Sequence, residues 1–292
     1  MPWMLHRHKG LKATFNITSP LISQLELYYN RAEENDKFLA LWLSDPTLLD
    51  EKSRAWILKI CKSSQYDTMV KEFPRYKELY FRDHFNNNDL LDIEVLFMLS
   101  WCGYYLRSNS QVVRHLILKQ REYDYEDKAL LLKELCGFVS GIFDYYKELH
   151  DEGVISISTT PLNHPILPLL LDMKNAVYAN ASTNIPKDHM SLAEDASLQI
   201  IKSKELFLKT FGFVPDGFWP AEGSVDEKSV ALLSEHNIKW IATDEAILFK
   251  SINSTNRNKL YTPYQYNEMC IGFRDHYLSD LIGFSYRHQE AT

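Results

Sequence analysis

One glutamate in this sequence stands where a carboxylate could do covalent chemistry. Glu222 lies in the stretch GFWPAEGSVDEKSV, between a predicted strand end and a predicted helix start. A carboxylate that is ionised and held rigidly can attack an electrophilic carbon, while a second carboxyl group about 5–5.5 Å away acts as acid and then as base. Trp219 and Pro220 would anchor such a group, and Gly223 would let a ligand approach the backbone. Glu222 could instead be an exposed loop carboxylate or a capping acid of the next helix.

Other polar and ionisable side chains follow four further predicted strands. They are Asn16; Thr159, Thr160 and His164; Thr243, Asp244 and Glu245; and Arg274, Asp275 and His276. Because catalytic groups in parallel α/β sheets gather at the carboxyl ends of the strands, this recurrence predicts a functional site along one edge of the sheet. Plainer alternatives stay open, since Asp244 could cap a helix and the residues at 274–276 could form a local ion pair worth little.

The elements that would position these groups are indicated by periodicity. Alternating, β-branched runs predict strands over residues 11–18, 153–159, 214–219 and 238–244, and two more over residues 259–266 and 268–275. Helices are predicted after Ser19, over residues 191–212 and over residues 224–237, with Ser191 and Glu194 forming a capping box and Gly212 ending the second helix. Strands that alternate with helices predict parallel pairing, in a barrel or an open sheet.

Residues 36–150 follow a different hydrophobic pattern. Apolar residues recur there at spacings of three and four, as in LLDIEVLFMLSWCGYYL, and the intervening turns are short and polar. The pattern predicts a block of several packed helices, inserted between the first predicted strand and the others.

Composition excludes several classes of protein. The net charge of −7 and the acidic balance of the 292 residues argue against a general nucleic-acid binder. No run reaches the roughly 18–20 apolar residues of a membrane span. The four cysteines are isolated from one another and match no zinc pattern, which indicates a reducing, cytoplasmic compartment.

Three stretches carry a resemblance to a known family. GVISISTTPLNHPILPLL, GFWPAEGSVDEKSVALLSEHNIKWIATDE and FRDHYLSDLIGFSY resemble, in order, conserved regions of glycoside hydrolase family 57, and KATFNIT and EFPRYKEL also fit. Members of that family cleave or transfer α-glucans. The resemblance implies an α/β fold, an incomplete (β/α)7 barrel with residues 36–150 as a large helical insertion. Residues 1–292 would form part of that catalytic domain, truncated at both ends.

The resemblance also implies roles for individual residues. Glu222 takes the place of the catalytic nucleophile of a retaining enzyme, and His164 that of a histidine that bonds a sugar hydroxyl. His164 could alternatively hold the turn before Pro165, and Trp219 could form either the floor of the pocket or part of the core. Substrate-binding positions are also expected at Ser156, Asp244, Glu245 and Asp275. No metal or other cofactor is implied, and the expected partner is an α-glucan oligo- or polysaccharide.

Two departures from the family pattern matter. Ser156 stands where the family usually has a glutamate near the bound sugar. The histidine-glutamine-proline motif and the motif of the acid/base aspartate are both missing, so we expect the fragment alone to be inactive. Neither Asp244 nor Asp275 matches the acid/base motif. A non-catalytic glucan-binding protein is therefore one alternative.

A metal-dependent polysaccharide deacetylase is a weaker alternative. That chemistry needs paired aspartates after the first strand and a close histidine pair. The sequence offers Asn16 at the first position, while His6 and His8 lie in a basic, helix-like segment.

Overall fold

The computed structural model describes residues 2–29, 31–188 and 190–289. Met1 and Thr292, the ends of the predicted domain, lie outside them. The chain folds into two compact units: an α/β unit, formed by Met1–Ser23 with Phe143–Thr292, and a helical unit, formed by Gln24–Ile142.

Helices predominate over strands in the described residues. The helices are α1 Pro2–Arg7, α2 Ser19–Glu26, α3 Ala32–Asn35, α4 Lys37–Trp42, α5 Glu51–Cys61, α6 Pro74–Tyr80, α7 Asn87–Trp101, α8 Tyr104–Asn109, α9 Gln111–Lys119, α10 Tyr125–Ser140, α11 Ile142–Asp151, α12 Leu167–Leu171, α13 Ala176–Ala179, α14 Ala193–Phe211, α15 Glu227–Glu235, α16 Glu245–Ser251 and α17 His276–Asp280. The strands are β1 Ala13–Asn16, β2 Ile155–Ser158, β3 Gly217–Phe218, β4 Trp240–Asp244, β5 Tyr264–Tyr266 and β6 Met269–Arg274. The fold is therefore α/β with mostly helical content. None of the described helices is long and apolar enough to cross a bilayer.

Local sequence signals start the long helices of the helical unit. Asn86 and Asp89 form a capping box at the start of α7, and Asp124 and Asp127 form one at the start of α10. Each box pairs two backbone N–H groups that the helix itself leaves without acceptors. Helix α7 is buried on most of its surface and forms the centre of this unit's apolar core.

A charged pair lies inside that core. Lys128 Nζ donates to Glu94 Oε2 over 2.8 Å, and both side chains are fully buried. The ammonium also lies 5.1 Å from the ring centroid of Trp42, whose indole N–H donates to the backbone carbonyl of Glu94. Glu94 Oε1 is buried without a hydrogen-bond partner among the described residues. Burial, opposed by the charge of Lys128, raises the pKa of Glu94 to about 7.

The α/β unit is built on parallel strands that are neighbours in chain order. Strand β1 pairs with β2, and β3 pairs with β4, which in turn pairs with β6. Thr159, directly after β2, bridges to Phe218 of β3 in the same direction. The carboxyl ends of these five strands therefore lie along one edge, as the alternation of strands and helices predicts.

Side chains alternate between the two faces of β4. Ile241 and Thr243 are fully buried, whereas Trp240, Ala242 and Asp244 are half-buried. Ile241 belongs to an apolar core with Phe218 of β3 and residues of α14 and α15. The buried face of the sheet fixes the strand register, and the register in turn fixes which residues end at the edge.

Two details differ from the sequence-based expectations. Helix α14 begins at Ala193 after Leu192 and has no side-chain cap, so the capping box of Ser191 and Glu194 is wrong. The predicted helix end is confirmed, because Gly212 adopts the left-handed conformation there, at a φ of 78°. Strand β5 runs antiparallel to β6, so the predicted parallel order does not extend to this strand.

We expect Lys128→Met to lower the free energy of unfolding by about 3–5 kcal/mol at pH 8, because it leaves the Glu94 carboxylate buried without its counter-charge. Urea denaturation would measure the loss. Lys147→Met is the matched control. It breaks an exposed pair with Asp151 one helical turn away, and should cost less than about 1 kcal/mol.

The loss should shrink at pH 5. Burial places the pKa of Glu94 in the folded chain above its value of about 4.3 in the unfolded chain, so the folded state binds the proton more tightly. The carboxyl group then contributes stability at low pH that disappears as the pH rises through its folded pKa. Replacing Glu94 by Met as well should restore most of the stability at pH 8. A loss that is equal at both pH values would contradict this account.

Candidate active site

Glu222 lies on a tight turn directly after β3. Its backbone is in the left-handed region, with φ 56° and ψ 18°, which non-glycine residues adopt rarely and at a cost of about 1–3 kcal/mol. The N–H of Gly223 donates to the carbonyl of Pro220 over 2.8 Å, which closes the turn. The side chain of Glu222 is 76% exposed. The carboxylate is thus presented to solvent from a backbone that is fixed.

The end of β4 holds this turn in place. The hydroxyl of Thr243, itself fully buried, donates to the carbonyl of Gly223. Gly223 has a φ of 65°, and a Cβ at that position would lie 3.6 Å from the backbone N of Asp244. The positive φ therefore calls for glycine, and the turn that carries Glu222 packs directly on the last residues of β4.

His164 reaches Glu222 from the loop after β2. Its Nε2 lies 3.2 Å from Glu222 Oε1, so an N–H at Nε2 donates to the carboxylate. His164 also has a φ of 56°. Gln199 of α14 holds the loop, because its backbone carbonyl accepts from the N–H of Leu162 and its side-chain amide oxygen accepts from the N–H of Asn163. Two left-handed residues on neighbouring loops thus place an imidazole against a carboxylate.

Trp219 and Ser156 are the other binding residues predicted on the segments of β2 and β3. Trp219 is half-buried, and its N–H donates to the carbonyl of Thr159 over 2.8 Å, which joins the two strand ends. Ser156 lies further back on β2, paired with Thr14 of β1, and is exposed.

The acidic residues at the end of β4 have defined partners. Asp244 caps α16, since its Oδ1 accepts from the N–H of Ala246 over 2.9 Å, and its Oδ2 contacts Nε2 of His276. The cap predicted as an alternative for Asp244 is present. The two carboxylate oxygens of Glu245 accept from the guanidinium of Arg257 at 3.1 and 3.3 Å.

Asp275, at the end of β6, is tied in the same way. Its Oδ1 accepts from the N–H of Leu278 and caps α17, while Oδ2 lies 2.9 Å from the Arg257 guanidinium. The hydroxyl of Tyr261 also donates to Asp275, and this bond, with that of Leu278, holds the pKa of Asp275 below its usual range. Arg274, the last residue of β6, pairs instead with Asp280 of α17 at 3.1 Å.

Sequence reasoning missed the two residues that organise the ends of β4 and β6. Arg257 and Tyr261 begin and end a short 3-10 turn before β5, in SINSTNRNKLY. The strand predicted over residues 259–266 is therefore wrong in its first part, because β5 begins only at Tyr264. Two cationic residues among asparagines and serines, followed by a tyrosine, were the whole of the available signal.

The described residues contain no group of three or more His, Cys, Asp or Glu side chains placed to hold a metal ion.

The model of the family described as glycosyl hydrolase family 57 matches residues 28–292 of the chain. No curated protein is significantly similar to the sequence.

Three solved structures are similar to the chain. The α-amylase AmyC from Thermotoga maritima is 14% identical with a TM-score of 0.48, and the match covers 96% of this chain and 40% of that one. The branching enzyme of this family from Pyrococcus horikoshii is 15% identical with a TM-score of 0.47, and the match covers 100% of this chain and 44% of that one. TK1436, a branching enzyme from Thermococcus kodakaraensis, is 14% identical with a TM-score of 0.47, and the match covers 100% of this chain and 45% of that one. The chain thus spans less than half the length of each, and likeness at this level carries no argument about its activity.

We expect Gly217→Ala to lower the free energy of unfolding by about 1–3 kcal/mol, because the added Cβ would overlap the indole ring of Trp240 on the neighbouring strand. Gly272→Ala is the matched control in β6, where the nearest atom to an added Cβ is a carbonyl oxygen at 3.9 Å.

A double-mutant cycle in urea denaturation tests the contact itself. In a Trp240→Ala background the cost of Gly217→Ala should fall, because the obstructing ring is gone. An unchanged cost in that background would mean that the ring does not set the requirement for glycine.

Proposed function

This chain belongs to glycosyl hydrolase family 57, and from that premise we propose that it is part of a retaining glycoside hydrolase or glucanotransferase that acts on α-glucans. In this proposal Glu222 is the nucleophile that forms the glycosyl-enzyme. The observation that carries the assignment is the 3.2 Å contact between Glu222 Oε1 and His164 Nε2 at the carboxyl edge of the parallel strands.

A nucleophilic carboxylate must be accessible and held in one direction. Glu222 meets both needs, since its side chain is exposed while its turn is bonded to Thr243 and closed by Pro220. The left-handed backbone of Glu222 and His164 supports a functional reading as well, because such strained positions cluster at active sites.

His164 has two tasks in the proposal. One ring nitrogen orients the Glu222 carboxylate, and the other, Nδ1, makes no hydrogen bond to the described residues and remains available for a sugar hydroxyl. Trp219 lies at the same edge and would form the floor of the pocket. Ser156 would contribute a hydroxyl near the sugar, where most members of the family place a carboxylate.

None of the acidic residues at the ends of β4 and β6 is proposed as the general acid. Glu245 and Asp275 are both ion-paired to Arg257, and the lowered pKa of Asp275 makes it a poor proton donor at neutral pH. Asp244 is engaged on both oxygens. The test of Glu222 should therefore use a substrate whose leaving group needs no proton.

We also infer that the parallel strands belong to an incomplete seven-stranded (β/α) barrel, with residues 36–150 as a helical insertion. The chain-order pairing of β1, β2, β3, β4 and β6 supports this, because consecutive parallel neighbours are typical of such barrels.

The nucleophile can be tested with α-maltotriosyl fluoride, since fluoride leaves without protonation. We expect the chain to release fluoride, and Glu222→Gln to release it at least about 1,000-fold more slowly, because the amide cannot attack the anomeric carbon. Glu227→Gln is the matched control, an exposed acid five residues further along the chain, and should match the wild type.

Azide provides a second readout. In Glu222→Ala, azide can enter the space that the carboxylate leaves, attack the anomeric carbon on the face opposite the departing fluoride, and yield the β-glycosyl azide. Equal fluoride release by wild type and Glu222→Gln would overturn the assignment. Binding of maltotriose without any fluoride release by the wild type would instead mean that the chain is a glucan-binding protein.

A further inference from the structure

His276 begins helix α17, directly after Asp275, and its imidazole is held at the end of β4. Its Nε2 contacts Asp244 Oδ2, and its backbone N–H donates to Glu245 Oε2 over 3.1 Å. Asp244, the last residue of β4, thus holds the ring of this histidine, and Glu245, the first residue of α16, holds its backbone. The ring is still 46% exposed.

Asp244, which contacts the imidazole, lies beside the Glu222 turn. The backbone N of Asp244 lies 3.6 Å from the position of a Cβ on Gly223, the residue after Glu222, and Thr243 bonds to the Gly223 carbonyl. Strand β3, which carries the turn, has β4 on one side and the end of β2 on the other. The turn of Glu222 therefore lies between the loop after β2, whose His164 contacts the carboxylate, and the end of β4, whose Asp244 contacts His276.

The acids of this edge have little capacity left for a ligand. Asp244 uses one oxygen for the α16 cap and the other for His276, Glu245 is bonded to Arg257 through both oxygens, and Asp275 is bonded to Arg257, Tyr261 and the α17 cap. The imidazole of His276 differs, because its Nδ1 makes no hydrogen bond to the described residues.

We propose that His276 is a sugar-binding residue of the Glu222 site, and that Asp244 and Glu245 position it rather than bind the sugar themselves. This inference rests on the proposed glucan-binding function and goes beyond it, since it assigns the binding contact on the β4 side to a different residue. Nδ1 bonds a hydroxyl of the glucan. Asp244 fixes which way the ring faces, because its carboxylate contacts Nε2.

The test is the dissociation constant of maltotriose, measured by titration calorimetry in the Glu222→Gln background so that no turnover interferes. His276→Phe keeps a flat ring and removes both nitrogens, and should weaken binding about 3- to 10-fold, the effect of one lost hydrogen bond. His115→Phe, at an exposed position of α9 in the helical unit, is the matched control and should bind like the parent.

Two substitutions at Asp244 separate positioning from folding. Asp244→Asn keeps the α16 cap through its one amide oxygen and turns its NH2 group to the imidazole, where it donates to Nε2 and still holds the ring, so it should bind nearly as well as the parent. Asp244→Ser also caps α16 but is too short to reach His276, and should weaken binding as His276→Phe does. The double variant of His276→Phe with Asp244→Ser should be no weaker than either single variant, because both remove the same contact.

The outcomes distinguish this inference from the proposed function. If the parent binds maltotriose and His276→Phe binds it equally well, the inference is wrong while the assignment of Glu222 is untouched. Additive losses in the double variant would also overturn it, because Asp244 would then bind the sugar independently. If the parent does not bind maltotriose at all, the glucan function fails and the inference fails with it.

Discussion

The candidate site depends on how the Glu222 turn is bonded to the strands on either side of it. On one side the hydroxyl of Thr243 donates to the carbonyl of Gly223, and on the other the N–H of Trp219 donates to the carbonyl of Thr159. Both bonds join the ends of parallel neighbours, so they exist only while the strand register is kept. The register in turn depends on the buried face of the sheet. Packing far from the carboxylate therefore decides its position.

The rigidity of this edge comes at a cost in backbone conformation. Glu222 and His164 both have a φ of 56°, and each such position is disfavoured by about 1–3 kcal/mol. A more relaxed turn would be available to either residue if only chain reversal were needed. The two strained positions meet at a single contact, between a carboxylate and an imidazole. The strained backbone at both positions therefore directs the two side chains toward each other, which is a requirement of chemistry rather than of chain reversal.

The sequence predicts which residues lie at the strand ends better than it predicts the conformation of the turns that follow them. Alternation and strand order are enough to place Glu222, Asp244 and Asp275 at neighbouring strand ends, because parallel pairing follows from intervening helices. The strained turn of Glu222 cannot be predicted in this way, since glutamate carries no signal for a positive φ. The antiparallel direction of β5 depends on a short polar turn at residues 267–268, whose type the residues alone do not specify.

The partners of the acids were also beyond sequence reasoning, for a different reason. Glu245 and Asp275 are 30 positions apart, and the Arg257 that joins them lies in a turn with no period or motif. Ion pairs of this kind depend on where loops cross, which local patterns do not encode. Ser191 shows the opposite failure: its residue type suits a helix start, but α14 begins two residues later without any side-chain cap.

The bonding partners of the carboxylates along this edge determine which of them is available to a ligand. A neutral sugar offers hydroxyl groups, which compete poorly with a guanidinium or with helix N–H groups for a carboxylate oxygen, because charge-assisted bonds are the stronger ones. Glu245 and Asp275 are therefore committed to Arg257 and to the α17 segment. Glu222 contacts only the His164 imidazole among the described residues, and through one oxygen. In the proposed function, Glu222 is the carboxylate along this edge whose second oxygen would turn to the anomeric carbon without first breaking an ion pair.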